Sequence, residues 1–286
     1  MKDIIVTEKL NIGYEEAIIV EDLNLKIPKH RITALVGANG SGKSTILKAI
    51  SRILNPVGGA VYINGKTIKE QRSKEIAKQL AVLPQNPVAP DGLTVAELVS
   101  YGRSPHQGGF GVLSKHDKKM VQWAIDVTNM REFADRSIDR LSGGQRQRVW
   151  IAMALAQDTE VLLLDEPTTY LDIAHQYEVL YLLKHLNERE GRTIVMVVHD
   201  LNHASRFADH MVAIKEGKVM RSGTPQEVME PELLFDVFGI HSDIITHPRS
   251  GLPICLPYVK EEKGNTSESN SLDRKAAYHP SYEGIY

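Results

Sequence analysis

One cysteine, Cys255, is present among 286 residues, so no disulfide can close within the chain. That suits a reducing compartment. Charge of either sign is not in excess: 34 Lys and Arg stand against 36 Asp and Glu, a formal net charge of −2. No overall field draws the chain to nucleic acid or acidic lipid, and no nucleic-acid partner is expected. Long apolar runs are also missing. The densest, 161–164 and 194–198, are strand-sized, against the ~18 residues that a membrane span needs. The first residues carry acids, Asp3 and Glu8, too early for a secretory signal. The expectation is a soluble chain, or one held at a membrane only through a partner. No internal repeat is visible.

What is present is Gly37-Ala38-Asn39-Gly40-Ser41-Gly42-Lys43-Ser44-Thr45. It fills every fixed position of the phosphate-loop pattern G-x-x-x-x-G-K-[ST]. An apolar run, 32–36, precedes it as a buried strand, and 46–54 follow it as a helix. Glycines let such a loop turn tightly and bring its backbone close to a ligand. Successive N–H groups then form an anion-binding hollow at a helix N-terminus. Lys43 is expected to reach the β- and γ-phosphates of a nucleotide. The Ser44 hydroxyl is expected to ligate Mg²⁺, a hard cation that prefers oxygen.

Along the rest of the chain, 3–28 alternate β-rich pieces with turn signals and read as antiparallel strands. Tyr14 falls in the first turn, as a surface aromatic or a stacking platform for a base. A turn, strand and turn cover 57–65. Residues 68–78 read as a charged surface helix. Residues 80–84 form a strand, with Gln85 at its end. Thr94 with Glu97, and Ser114 with Asp117, carry capping-box spacing before two helices. Residues 86–158 are therefore expected to be a helical insertion in an α/β core.

Leu141-Ser142-Gly143-Gly144-Gln145 opens a second helix through a Gly-rich turn, a second anion site or simply a Ser-capped helix. Val161-Leu162-Leu163-Leu164 is an all-apolar strand ending in Asp165-Glu166. Ligands of open α/β sheets bind at the carboxyl ends of strands. Asp165 is thus placed to hold Mg²⁺, and Glu166 to polarise an attacking water. A helix over 174–188 and a buried strand over 193–198 follow. His199, at that strand's end, is read as a γ-phosphate hydrogen-bond donor. A metal pair with His203 lacks a third ligand. A hairpin turns at Glu216-Gly217, a short helix starts at Thr224, and late strands cover 244–246 and 254–259. From Lys260 apolar residues thin out, and 263–286 are expected to be a disordered tail.

In this order the segments resemble the ATP-binding cassette (ABC) ATPases, over residues 3–260. A phosphate loop alone fits many families, but Leu141–Gln145 is far more specific. The resemblance implies an α/β fold: a P-loop NTPase (RecA-like) core, an N-terminal antiparallel β subdomain and an inserted helical subdomain, the ATPase domain spanning 1–262. It implies that Tyr14 stacks on adenine and that Gln85 senses Mg²⁺ and a membrane partner. It implies Glu166 as the catalytic carboxylate, assisted by His199, Gln85 and Lys43. Ser142, Gly143, Gly144 and Gln145 would contact the γ-phosphate held by a second copy, with Asp172 on a loop crossing that interface. Thr169-Tyr170-Leu171-Asp172 departs from the Ser-Ala-Leu-Asp-like run common in the family. The implied assembly is a homodimer with ATP and Mg²⁺ in its interface, peripheral on the cytoplasmic face of the cell membrane. It would dock on integral permease subunits through the Gln85 loop and the helical subdomain, and reach an extracytoplasmic substrate-binding protein indirectly.

The segments 93–99 and 101–107, with Thr168–Asp172, resemble importers of iron–siderophores, haem and cobalamin, the iron–siderophore ATPases most of all. A cobalamin, haem or metal-ion importer and a soluble ABC protein without a membrane partner stay open. A P-loop kinase or GTPase would leave Leu141–Gln145 and His199 without a role.

Overall fold

A computed structural model describes residues 2–14, 17–108 and 112–259. The proposed tail, 263–286, lies outside the described residues. The chain opens with β1 (Asp3–Tyr14), β2 (Ala17–Leu23) and β3 (Lys26–Pro28). β1 is one long strand and not a series of short ones, and Tyr14 is its last residue, paired with Ala17. Between β2 and β3 the strand is interrupted at Asn24. The Asn24 side chain accepts from the Lys9 N–H and donates to the Asp22 carbonyl. Such local side-chain bonds compete with a ladder.

β4 (Ile32–Val36) leads through the phosphate loop into α1 (Lys43–Ile50). β5 (Gly58–Ile63) and β6 (Lys66–Thr67) complete the antiparallel sheet, in the order β2-β1-β5-β6 with β3 also on β1. The helix expected over 68–78 shrinks to α2 (Ser73–Ala77). Arg52 explains the loss. Its guanidinium binds the carbonyls of Ile68 and Gln71, which a helix would need for its own ladder.

β7 (Leu80–Leu83) precedes three mutually packed helices, α3 (Val95–Tyr101), α4 (Lys115–Val127) and α5 (Gly143–Ala156). Each starts at a capping box: Thr94 with Glu97, Ser114 with Asp117, Ser142 with Gln145. Then come β8 (Val161–Asp165), α6 (Ile173–Glu190), β9 (Thr193–Val197) and α7 (Leu201–Phe207). β10 (His210–Lys215) and β11 (Lys218–Gly223) form the expected hairpin. α8 (Pro225–Val228) and α9 (Pro231–Phe238) lead to a separate antiparallel pair, β12 (His241–Thr246) and β13 (Pro253–Tyr258).

The central sheet runs β11-β10-β4-β9-β8-β7, parallel from β10 to β7. Strand side chains alternate between faces, and both faces here are covered. Ile32, Ala34, Val36, Leu162, Leu164, Ile194 and Met196 belong to one apolar cluster. Leu35, Val161, Leu163, Val195 and Val197 belong to the other. That is why these strands read as unbroken apolar runs. It is the P-loop NTPase architecture.

Among the three helices lies a buried ion pair. Arg103 Nε donates to Asp117 Oδ1 at 2.8 Å, and its Nη1 to the Ala156 carbonyl at 2.7 Å. Arg103 is only 1% exposed, so its charge has no recourse to water. The Ser114 hydroxyl, then Arg103, hold the Asp117 carboxyl down at about 2 against burial. Removing one partner of such a pair costs about 3–5 kcal/mol. Asp117→Ala is expected to lose that much in urea melts. A group whose folded pKa is depressed adds stability above its unfolded pKa. The wild-type contribution from Asp117 is therefore full above about pH 4 and fades towards pH 2, where the variant's deficit should shrink.

Candidate functional site

Parallel register brings four strand ends level. Leu35 of β4 lies beside Val197 of β9, which lies beside Asp165 of β8; Leu164 lies beside Leu83 of β7. Two residues past the ends of β9 and β7 come His199 and Gln85, and directly past the ends of β4 and β8 come Gly37 and Glu166. Residues far apart in the chain thus meet at one edge of the sheet.

The phosphate loop folds as its glycines require. A Cβ on Gly37 would fall 2.2 Å from the Ile214 carbonyl oxygen. Gly42 caps α1 at φ 98°, a left-handed backbone that a side chain would strain. Asn39 and Gly40 are exposed, Ser41 is buried, and Thr45 is half-buried in the first turn of α1. The first N–H groups of any helix lack intrahelical partners, so the loop and the start of α1 offer donors to an anion. Lys43 is buried, and its Nζ binds the carbonyls of Gly37 (2.9 Å) and Ala38 (2.8 Å). Burial lowers its pKa, against the opposing pull of Glu166 and then Asp165.

Ser44 Oγ donates to Asp165 Oδ1 at 2.8 Å. Burial pushes the Asp165 carboxyl up; the Ser44 hydrogen bond opposes it. A buried carboxylate beside a hydroxyl is an all-oxygen donor set, which fits Mg²⁺. Among the described residues no three His, Cys, Asp or Glu side chains are placed to hold a metal by themselves. The cation would need phosphate oxygens as well, as Mg²⁺ commonly does.

Glu166 is the hub. Its Oε2 accepts from Gln85 Nε2 at 2.6 Å and from Thr169 Oγ1 at 3.0 Å, and its Oε1 is 2.5 Å from His199 Nε2. Its backbone is left-handed, φ 53°. Non-glycine residues take that conformation rarely and concentrate where geometry matters. The role of Thr169 was not legible beforehand; its spacing of three from Glu166 is the only signal. His203 takes no part here. It packs edge-on against Tyr177, ring centroids 5.1 Å apart.

The Gly-rich turn at 141–145 is elsewhere in its contacts. Ser142 and Gly143 are exposed. Ser142 Oγ accepts from the Gln145 N–H at 3.3 Å, and the Ser142 N–H donates to Gln145 Oε1 at 3.0 Å. Among the described residues no hydrogen bond joins 142–145 to 37–45. Gly144 faces the ring of His175, which a Cβ would approach to 2.8 Å. His175 Nδ1 is in turn 2.8 Å from Asp172 Oδ1. The Asp172 cap and the 142–145 turn therefore abut, a link that sequence reading did not find. Tyr170, before Asp172, is 87% exposed at φ 64°. Tyr14 is 44% exposed at the end of β1.

The pattern of the family described as ABC transporter matches residues 20–169, more than half of the chain. The chain belongs to the ABC transporter family. The iron(3+)-hydroxamate import ATP-binding protein FhuC of Bacillus subtilis (strain 168) is 60% identical, over 90% of this chain and 96% of its own. The petrobactin import ATP-binding protein FpuD of Bacillus anthracis is 51% identical, over 91% and 95%. An ATP-binding cassette solved as a dimer in a post-hydrolysis state, with ADP and Pi, superposes with a TM-score of 0.67. It is 32% identical and covers 77% of this ABC ATPase and 98% of itself. This ABC ATPase therefore binds nucleotide and couples its hydrolysis to transport. No helix among the described residues is long and apolar enough to cross a membrane.

Proposed function

We propose that this chain hydrolyses ATP to energise the import of an iron–siderophore. The observation that carries the chemistry is the Glu166 carboxylate, gripped by Gln85, Thr169 and His199 beside the Ser44–Asp165 pair. Siderophore import rests on likeness to FhuC and FpuD. Those relatives favour it over the cobalamin, haem and metal-ion alternatives.

In this reading Tyr14 stacks on adenine. The amides of 37–45 cradle the phosphates, and Lys43 leaves the loop carbonyls for phosphate oxygens. Ser44, Asp165 and Gln85 would hold Mg²⁺, which would neutralise phosphate charge. Glu166 takes the proton of the attacking water, a step worth about 10²- to 10⁴-fold in rate. His199 orients the γ-phosphate.

The exposed Ser142 and Gly143, with Gly144 buried behind them, and the exposed Asp172 cap are unfinished surfaces. We assign them to a head-to-tail second copy, whose nucleotide they would complete. An ATP touching both copies binds the closed pair better than the open one, and that difference drives closure. Ser142→Arg is expected to block hydrolysis while a single chain still binds ATP, read by calorimetry beside steady-state turnover. Loss of binding instead would refute the cross-copy assignment. The helical segment 86–158 and the Gln85 loop carry closure to a permease, placing the ATPase domain, 1–262, on the cytoplasmic face of the membrane.

The deciding experiment for transport is co-purification from membranes, followed by reconstitution in proteoliposomes. ATP turnover should rise when a ferric siderophore and its binding protein are supplied. Turnover indifferent to every ferric siderophore, but raised by cobalamin or haem, would overturn the substrate class.

A further inference from the structure

The β12–β13 hairpin belongs to neither main sheet. Two strands alone are marginal in water, so this pair must be held by what it touches. α7 is one of its supports. Asn202 Oδ1 accepts from the Cys255 N–H at 2.8 Å, and Asn202 Nδ2 donates to the Cys255 carbonyl at 3.2 Å. One turn along, the fully buried Ser205 donates from Oγ to the Pro253 carbonyl at 2.7 Å. Each is a side chain of α7 fastened to the main chain of β13.

Such fastening constrains in both directions. α7 begins at the Asp200 cap, one residue after His199. Its apolar side chains Leu201, Ala204 and Phe207 are sunk in the core. His199 hangs between the end of β9 and a helix gripped by both core and hairpin, and its Nε2 lies 2.5 Å from Glu166 Oε1. The hairpin also reaches the cleft of the phosphate loop, where Cys255 and Asn202 line the same wall as Gly37, Asn39 and His199.

We propose that the C-terminal hairpin sets the aim of His199, with Asn202 and Ser205 as positioning residues that act through α7. The inference rests on the role given above to His199. It predicts that loosening the clamp slows chemistry and spares nucleotide binding, because neither side chain is part of the phosphate loop. It also predicts non-additivity, since residues acting through one group do not lose independently.

Steady-state ATPase of the full-length chain tests this in four variants: Asn202→Ala, Ser205→Ala, His199→Ala and the Asn202→Ala/His199→Ala double. Asn202→Ala should lower kcat about fivefold with KM within about twofold. Ser205→Ala, which removes one hydroxyl and no bulk, should lower kcat about threefold and serves alone if the first variant does not fold. In the His199→Ala background, Asn202→Ala should change nothing further. A slow His199→Ala beside full-rate clamp variants would sink the hairpin inference alone. So would losses that multiply in the double variant, which mark a merely structural defect. A fully active His199→Ala would overturn the reading of His199 itself, and the clamp with it.

Discussion

Glu166→Gln is expected to lower ATP turnover by about 10²- to 10⁴-fold while leaving ATP affinity nearly intact. The amide keeps the volume of the carboxylate and hydrogen-bond capacity towards Gln85 and Thr169, so the hub should retain its shape. It cannot take a proton from water. With closure still favoured by bound ATP and release withheld, the variant should elute as a dimer in ATP and as a monomer once nucleotide is removed. Size-exclusion chromatography with light scattering reads this directly. A fully active, monomeric Glu166→Gln would remove Glu166 from the chemistry.

The second large effect concerns binding. Lys43→Ala should weaken ATP by about 10- to 100-fold, the value of one charged hydrogen bond, about 1.5–3 kcal/mol. In the free chain the ammonium leans on the carbonyls of Gly37 and Ala38, which water can take over after truncation. The fold should therefore survive. A ligand that binds only the native state raises stability as its concentration exceeds Kd. Millimolar ATP should then raise the melting temperature of wild type and barely move that of the variant. Calorimetry giving wild-type affinity would contradict the cradle.

Much of this protein was legible because its signals are local. The phosphate loop, the Ser142 turn and the acids after 161–164 are each read within a few residues, and so are the capping boxes at Thr94 and Ser114. The two-sided sheet followed from apolar runs that only burial on both faces explains. What escaped depends on partners distant in the chain. The helix over 68–78 was lost to Arg52, whose guanidinium takes two of its carbonyls. Asn202 meets Cys255 across 53 residues, and His175 fills the space beside Gly144. No composition or periodicity marks such pairs, since each depends on where the fold later carries the two segments.

The crowding on Glu166 has a consequence for thrift. Gln85, Thr169 and His199 already occupy the Glu166 carboxylate, so a water molecule must compete with them for a place on it. A lone copy is therefore expected to turn ATP over slowly, its carboxylate engaged by the same side chains that would later serve it. On the reading proposed above, fuel is spared until nucleotide and a companion subunit draw those neighbours away.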